Sequence, residues 1–313
     1  MWLILAFTSA FLLGFYDVSK KQALRSRLVV PVLTINTFFC SLIFLPFILL
    51  SATGHIAETS LFYVPVCGWN VHRYVVLKAV IVLLSWLCGY LAIKNLPLTI
   101  VGPINATRPV MVLLGAILVF GERLNIYQWV GVLLAILSFF LLSRSSKMEG
   151  IDFRSNRWVA LAVLAAVFGA ISGLYDKYLL APVESGGVGL NRMVVQSYFM
   201  FYQFLLMTIV WYVESLYVPA ARPHTTTRGA THGHWVLWVL LVSIFLSAAD
   251  FVYFYALSLP DALISVVSMI RRGSVLVSFS VGALVFHEKN LRSKTIDLTL
   301  VLLSMIFLWL GSH

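Results

Sequence analysis

The stretch Ala10-Phe11-Leu12-Leu13-Gly14-Phe15-Tyr16-Asp17 decides the reading of the fold, because it returns as Gly169-Ala170-Ile171-Ser172-Gly173-Leu174-Tyr175-Asp176. Both copies read small-x-x-x-small, then an apolar residue, Tyr and Asp. Further matches follow in the same order. Tyr90 and Leu96-Pro97 correspond to Tyr253 and Leu259-Pro260, and eleven residues past each proline stands an arginine, Arg108 and Arg271. The helices that follow each close on Phe-x-Glu, at Phe120-Gly121-Glu122 and Phe286-His287-Glu288. One short match is easily chance; four in one order mark a chain built from two related halves.

The halves belong in lipid. Hydrophobic residues make up 61% of the 313 positions and charged residues 11%, against roughly 45–50% and 25% in soluble domains. A single soluble core cannot absorb that much apolar side chain. A span needs about 20 mainly apolar residues to cross roughly 30 Å of hydrocarbon. Ten stretches qualify, near 2–24, 29–50, 73–93, 97–120, 126–142, 158–180, 190–213, 235–257, 261–286 and 295–311. They are too long and too evenly apolar for the alternation of a membrane barrel. The expected architecture is all-α, with one five-helix repeat over 1–142, a connector over 143–157 and a second repeat over 158–313. Five spans per repeat is an odd number, so the second half enters the membrane inverted relative to the first. The longer connectors, 51–72, 143–157 and 214–234, are too short for a soluble domain, so function must sit among the helices. Met1-Trp2-Leu3-Ile4 lacks the basic start of a signal peptide and reads as the beginning of a retained first span.

Ionisable residues at depth carry the functional information. Arg108 lies about 16 Å along its span, and Arg271 sits at a similar depth in the matching one. An arginine at mid-bilayer costs about 2.5–3.5 kcal/mol on insertion scales, so it must face water, an acidic partner, or both. A guanidinium in a partly dry cavity grips carboxylate or phosphate with two prongs. This points to an anion- or zwitterion-selective site on Arg108, Arg271 and Arg272. The competing reading is structural: Asp17, Asp176 and Asp250 also lie within spans and can hold the arginines in permanent pairs. Lys20, Lys21 and Lys177 follow the Tyr-Asp motifs and can instead pair with Asp17 and Asp176 locally. Asp250 is deeper and has no acidic counterpart in the first half. As a lone intramembrane carboxylate it would suit proton coupling.

Around these charges, Tyr16, Tyr90, Tyr175, Tyr253 and Trp86 are candidates to line a cavity, although aromatics in spans more often pack or anchor at interfaces. Pro103 and Pro109 should kink the fourth span beside Asn105 and Arg108. Gly169/Gly173 and Ala10/Gly14 read as helix-packing pairs.

Two five-helix repeats, a Leu-Pro opening the fourth and ninth spans and a glutamate closing them resemble the EamA-type drug/metabolite transporter superfamily. The resemblance implies a ten-helix basket whose central cavity is lined chiefly by spans 1, 3, 4, 6, 8 and 9. It further implies secondary transport of a small metabolite, of the amino acid, sugar phosphate, nucleotide-sugar or nucleoside kind. Arg271-Arg272 departs from the family pattern, in which a lone polar or small residue is commoner there.

Several classes fall away. No phosphate-binding loop, dinucleotide fingerprint or nucleophile elbow is present, so no cofactor and no ATP site are expected, and no enzyme. His224, His232 and His234 share a polar loop without metal-ligand spacing. Cys40, Cys67 and Cys88 form no C-x-x-C pair and read as packing residues. The formal charge of +10 sits mainly in short connectors, which suits anionic lipid headgroups and not nucleic acid. Its bias to the connectors after odd-numbered spans puts both termini outside, whereas the resemblance puts them inside. Expected partners are a small-molecule substrate, a coupling proton or exchanged metabolite, and membrane lipid, with the chain a monomer or homodimer in a cell (inner or plasma) membrane. A lipid-linked substrate flippase or a membrane-embedded enzyme is the alternative.

Overall fold

The computed structural model describes residues 1–25, 28–108, 110–112, 114–115, 125–147, 155–217, 232–259 and 291–311, with positions 267, 270–271, 273–274, 276–277 and 280–281. The described residues are helical in the main: α1 (Trp2–Leu24), α2 (Val29–Ala52), α3 (Trp69–Asn95), α4 (Leu98–Ala106), α5 (Ile126–Lys147), α6 (Arg157–Leu180), α7 (Arg192–Tyr217), α8 (His232–Ser258) and α9 (Leu291–Leu310). Six of them, α1, α2, α3, α6, α7 and α8, are long and apolar enough to cross a membrane. The protein is a multi-pass helical membrane protein.

Side-chain placement explains why these helices need lipid outside. On α1 the outward residues are Ile4, Phe7 and Phe11, at 71%, 63% and 57% exposure, while Ala6, Ser9, Ala10, Leu13 and Gly14 face inward. On α6 Leu164, Val167 and Ile171 face out, while Ala162, Ala165, Ala166, Ser172 and Asp176 face in. Bulky apolar residues outside and small or polar ones inside is the reverse of a soluble helix. It is the arrangement expected when acyl chains are the solvent and helices associate by close backbone approach.

The most extensive helix pairings are α1 with α8 and α3 with α6, together with α5 with α9, and then α2 with α7. A serine hydroxyl stitches each of the first two: Ser9 Oγ donates to the carbonyl of Ala249 at 2.8 Å, and Ser85 Oγ to that of Ala165 at 2.8 Å. Ser304 Oγ donates to Gly131 O at 2.6 Å between α9 and α5. A buried polar knot ties α2, α3 and α8: Ser243 Oγ donates to Asn36 Oδ1 at 2.9 Å, and Asn36 Nδ2 to the Tyr90 hydroxyl at 3.4 Å. Satisfied hydrogen bonds of this kind fix helix register where hydrophobicity alone cannot discriminate.

The fourth span is not one continuous helix over 97–120. Helix α4 stops at Ala106, and Thr107 forms a tight turn, its N–H reaching Ile104 O at 3.2 Å and its hydroxyl the same carbonyl at 2.7 Å. Helical backbone resumes at Arg108. Pro109 lies outside the described residues, but a proline there has no N–H to offer the Asn105 carbonyl. A similar interruption stands at Gly273, just past Arg271, where the Gly273 N–H reaches Ile270 O at 2.8 Å.

The connector after α2 is docked. Phe62 stacks between Phe47 and Phe251, with ring centroids 5.1 and 5.3 Å away. Arg192 Nη2 donates to Leu61 O at 3.1 Å, and its guanidinium sits 4.4 Å from the Tyr255 ring.

Candidate functional site

A cavity of about 160 Å³ lies at the centre of the helices, room for several waters. It is built where α1, α3, α4, α6 and α8 meet the described residues around Arg271. Its described lining holds four cations, Lys20, Lys78, Arg108 and Arg271, and three carboxylates, Asp17, Asp176 and Asp250. So many charges inside a lipid-embedded bundle stay ionised only if water, partners or ligand compensate them.

Three of the cations are compensated in the same way, by one carboxylate and one or two aromatic rings. Lys20 Nζ is 2.7 Å from Asp17 Oδ1, one helical turn away, and sits 4.1 Å from the Tyr16 ring and 5.1 Å from that of Tyr90. Lys78 pairs with Asp176 across α3 and α6, with Phe199 and Phe254 rings at 4.9 and 5.1 Å. Arg271 pairs with Asp250, its guanidinium 4.0 Å from the Tyr253 ring. A ring face adds to the attraction where water is scarce.

Arg108 differs. Among the described residues it has no ion pair, and its Nε is buried without a hydrogen-bond partner. The guanidinium lies against Gly169 of α6, where an added Cβ would fall 2.5 Å from Cζ and 2.6 Å from Nη1. Asn105, three residues before it on α4, also lines the cavity.

The sequence candidates divide accordingly. Arg108, Arg271, Asn105, Tyr16, Tyr90, Tyr253 and Trp86 all border the cavity, as do Asp17, Asp176, Asp250 and Lys20. Tyr175 does not: its hydroxyl donates to the Tyr74 carbonyl at 3.2 Å, in a separate apolar cluster with Leu179 and Val267. One residue of helix pitch separates it from Asp176, so the two point apart. Asp176 takes Lys78 and not Lys177 as its partner. Lys21 caps the C-terminal end of α3, donating to Ile93 O at 2.6 Å and Leu96 O at 2.7 Å, a favourable place for a cation. Asp250 is not a lone carboxylate, since Arg271 neutralises it. Arg272, Glu122, Glu288, Pro260 and His224 lie outside the described residues. Cys40 is buried, and Cys67 and Cys88 are half-buried free thiols.

Lys78 was missed by the sequence reading. The signal was present, a lysine nine residues into an apolar span, but it has no counterpart in the second half and attention to repeated positions passed over it.

The fold and the chamber define a class: a multi-pass helical membrane protein around a polar, charge-lined void. Residues 1–144 of the 313 match the EamA-like transporter family. An uncharacterized transporter of Pseudomonas aeruginosa is 31% identical over 143 residues. That match covers 44% of this chain and 45% of the relative, so the chain matches about half the relative's length. One solved crystal structure superposes on 99% of this chain and 97% of its own with a TM-score of 0.64, at 15% identity. At that identity the likeness speaks for the fold alone.

Proposed function

We propose that the protein is a secondary active transporter carrying a small polar metabolite, anionic or zwitterionic, through the central chamber by alternating access. The observation that carries this reading is the charge inventory of the chamber's described lining, four cations against three carboxylates. One positive charge is left over in a low-dielectric site, and an anionic group on the substrate would balance it. Arg108, Asn105 and Arg271 would meet the charged part, and Tyr16, Tyr90, Tyr253 and Trp86 the remainder. Asp17, Asp176, Asp250 and Lys20 would hold the chamber's charges in place when it is empty.

Helix pairing supports the two-repeat scheme, in ten spans divided at 142 and 158. Exchanging the halves turns the α1–α8 pair into the α6–α3 pair, and both are among the three most extensive pairings. It leaves α2–α7 and α5–α9 paired with themselves. Five spans per half would invert one half against the other, the architecture in which related halves swap conformations around a midplane site. The transporter name of the Pseudomonas relative points the same way, and a cell (inner or plasma) membrane is where we place the chain.

Counterflow into proteoliposomes tests the substrate class, with a panel of anionic, zwitterionic and cationic metabolites. Accumulation of anions or zwitterions is expected. Preference for cations, unaltered by Arg108→Ala and Arg271→Ala, would defeat the reading while leaving the fold intact.

A further inference from the structure

Resting on that reading, we infer that Arg108 seated on Gly169 is the chamber's oxyanion subsite. It takes one carboxylate or phosphate group, and Gly169 is the positioning residue that makes it possible. The four cations of the described lining differ in how they are compensated. Lys20, Lys78 and Arg271 each spend their charge on a carboxylate and a ring face. Among the described residues Arg108 spends its charge on neither, and its buried Nε lacks a hydrogen-bond partner. Arg271 also has an Nε without a partner, but Asp250 already neutralises that guanidinium. A single oxyanion therefore balances the chamber when it binds Arg108. A dianion or a second anionic group would compete with Asp17, Asp176 and Asp250 for cations already engaged.

The seat explains why Arg108 stands apart. Its guanidinium occupies the space in which a Cβ on Gly169 would stand, 2.5 Å from Cζ, 2.6 Å from Nη1 and 2.8 Å from Nε. The matching position in the first half is Ala10, whose methyl already fills that space, so the repeat offers no equivalent seat to Arg271. The seat on bare backbone leaves Arg108 Nε without a protein partner, and a guanidinium can take two oxygens of one carboxylate or phosphate in parallel. Asn105 lines the cavity from the same span and can donate a further hydrogen bond to the same group.

Substitution at Gly169 makes a clean test. The atoms that an added methyl would meet are the far end of a flexible side chain, so the guanidinium swings away and the helix pair survives. Gly173, one turn on in α6 and also on the chamber wall, is the control for an added methyl that leaves Arg108 seated: a Cβ there meets Val112 Cγ2 at an ordinary 3.7 Å. The measurement is thermal stabilisation of the purified full chain in nanodiscs, titrated with acetate and, in a separate arm, inorganic phosphate. The arms tell a carboxylate site from a phosphate site. The expected result is saturable stabilisation by at least one anion, weakened tenfold or more by Gly169→Ala with an unchanged melting temperature in its absence, and changed less than twofold by Gly173→Ala. Pairing Gly169→Ala with Arg108→Lys is expected to recover part of the response, since an ammonium needs no seat. If wild type and Arg108→Lys respond but Gly169→Ala matches wild type, the seat is wrong and the anion reading stands. If the wild type is stabilised by neither anion, the anion reading itself falls and the inference with it.

Discussion

Lys78 of α3 and Asp176 of α6 form a buried ion pair across the chamber wall, joining a helix from the first half to one from the second. Removing one alone leaves a charge stranded in an apolar setting, at a cost of about 3–5 kcal/mol, whereas replacing both by apolar groups of like volume is near neutral. Lys78→Met and Asp176→Leu should therefore each lower the unfolding temperature in detergent sharply, and the double variant should recover most of the loss. Additive losses in the double variant would show that the two do not act as a pair.

Asp250 restrains Arg271 and keeps the excess charge of the chamber at one. Asp250→Asn leaves a second uncompensated guanidinium facing the void. Anionic substrate is then expected to bind more tightly and leave more slowly, so that KM and maximal rate in counterflow fall together. A raised KM would mean that Asp250 itself contacts the substrate.

Tyr175 and Tyr90 make a discriminating pair, since the repeat motif offered both tyrosines as cavity residues. Tyr175→Phe removes a hydrogen bond to a backbone carbonyl outside the chamber, which costs about 1 kcal/mol of stability and should leave KM unchanged. Tyr90→Phe removes a hydroxyl shared with Tyr16 and Asn36 at the cavity edge, both at 3.4 Å, and should change KM. Kinetics of the two variants side by side check the assignment.

Cys67, in the connector after α2, reports topology. Its thiol donates to Pro65 O at 3.1 Å, and burial pushes its pKa upward. A raised pKa means less thiolate at neutral pH, so alkylation should be slow there and accelerate as pH rises through the raised value. Two crossings separate Cys67 from the N-terminus, so an impermeant maleimide should reach it from the face that carries Met1. Labelling from the opposite face would overturn that path.

How far the sequence carried can be judged from these residues. The lipid-facing fold was legible because composition and span length are one-dimensional properties, and Phe7 and Phe11 on the outside of α1 follow from them directly. Arg108, Asn105, Asp17 and Tyr90 were legible as chamber residues because an ionisable or paired polar group at depth has few places to go. Tyr175 was not, because its likeness to Tyr16 concealed a different rotation about the helix axis. The Lys78–Asp176 pair was not, because a contact between α3 and α6 depends on how two distant helices dock. Nor was the seat on Gly169, which the sequence offers only as a packing glycine.

The central claim is that this chamber is the path, open to one side of the membrane and then to the other. Ser172 borders the cavity and is 8% exposed, so Ser172→Cys in a chain freed of Cys40, Cys67 and Cys88 places one thiol on the path. With the protein inserted in known orientation, a membrane-impermeant thiol reagent is applied to each face in turn. Labelling from both faces, slowed by a transported anion, is expected if the chamber is the path; labelling confined to one face under every condition, with transport intact, would rule it out.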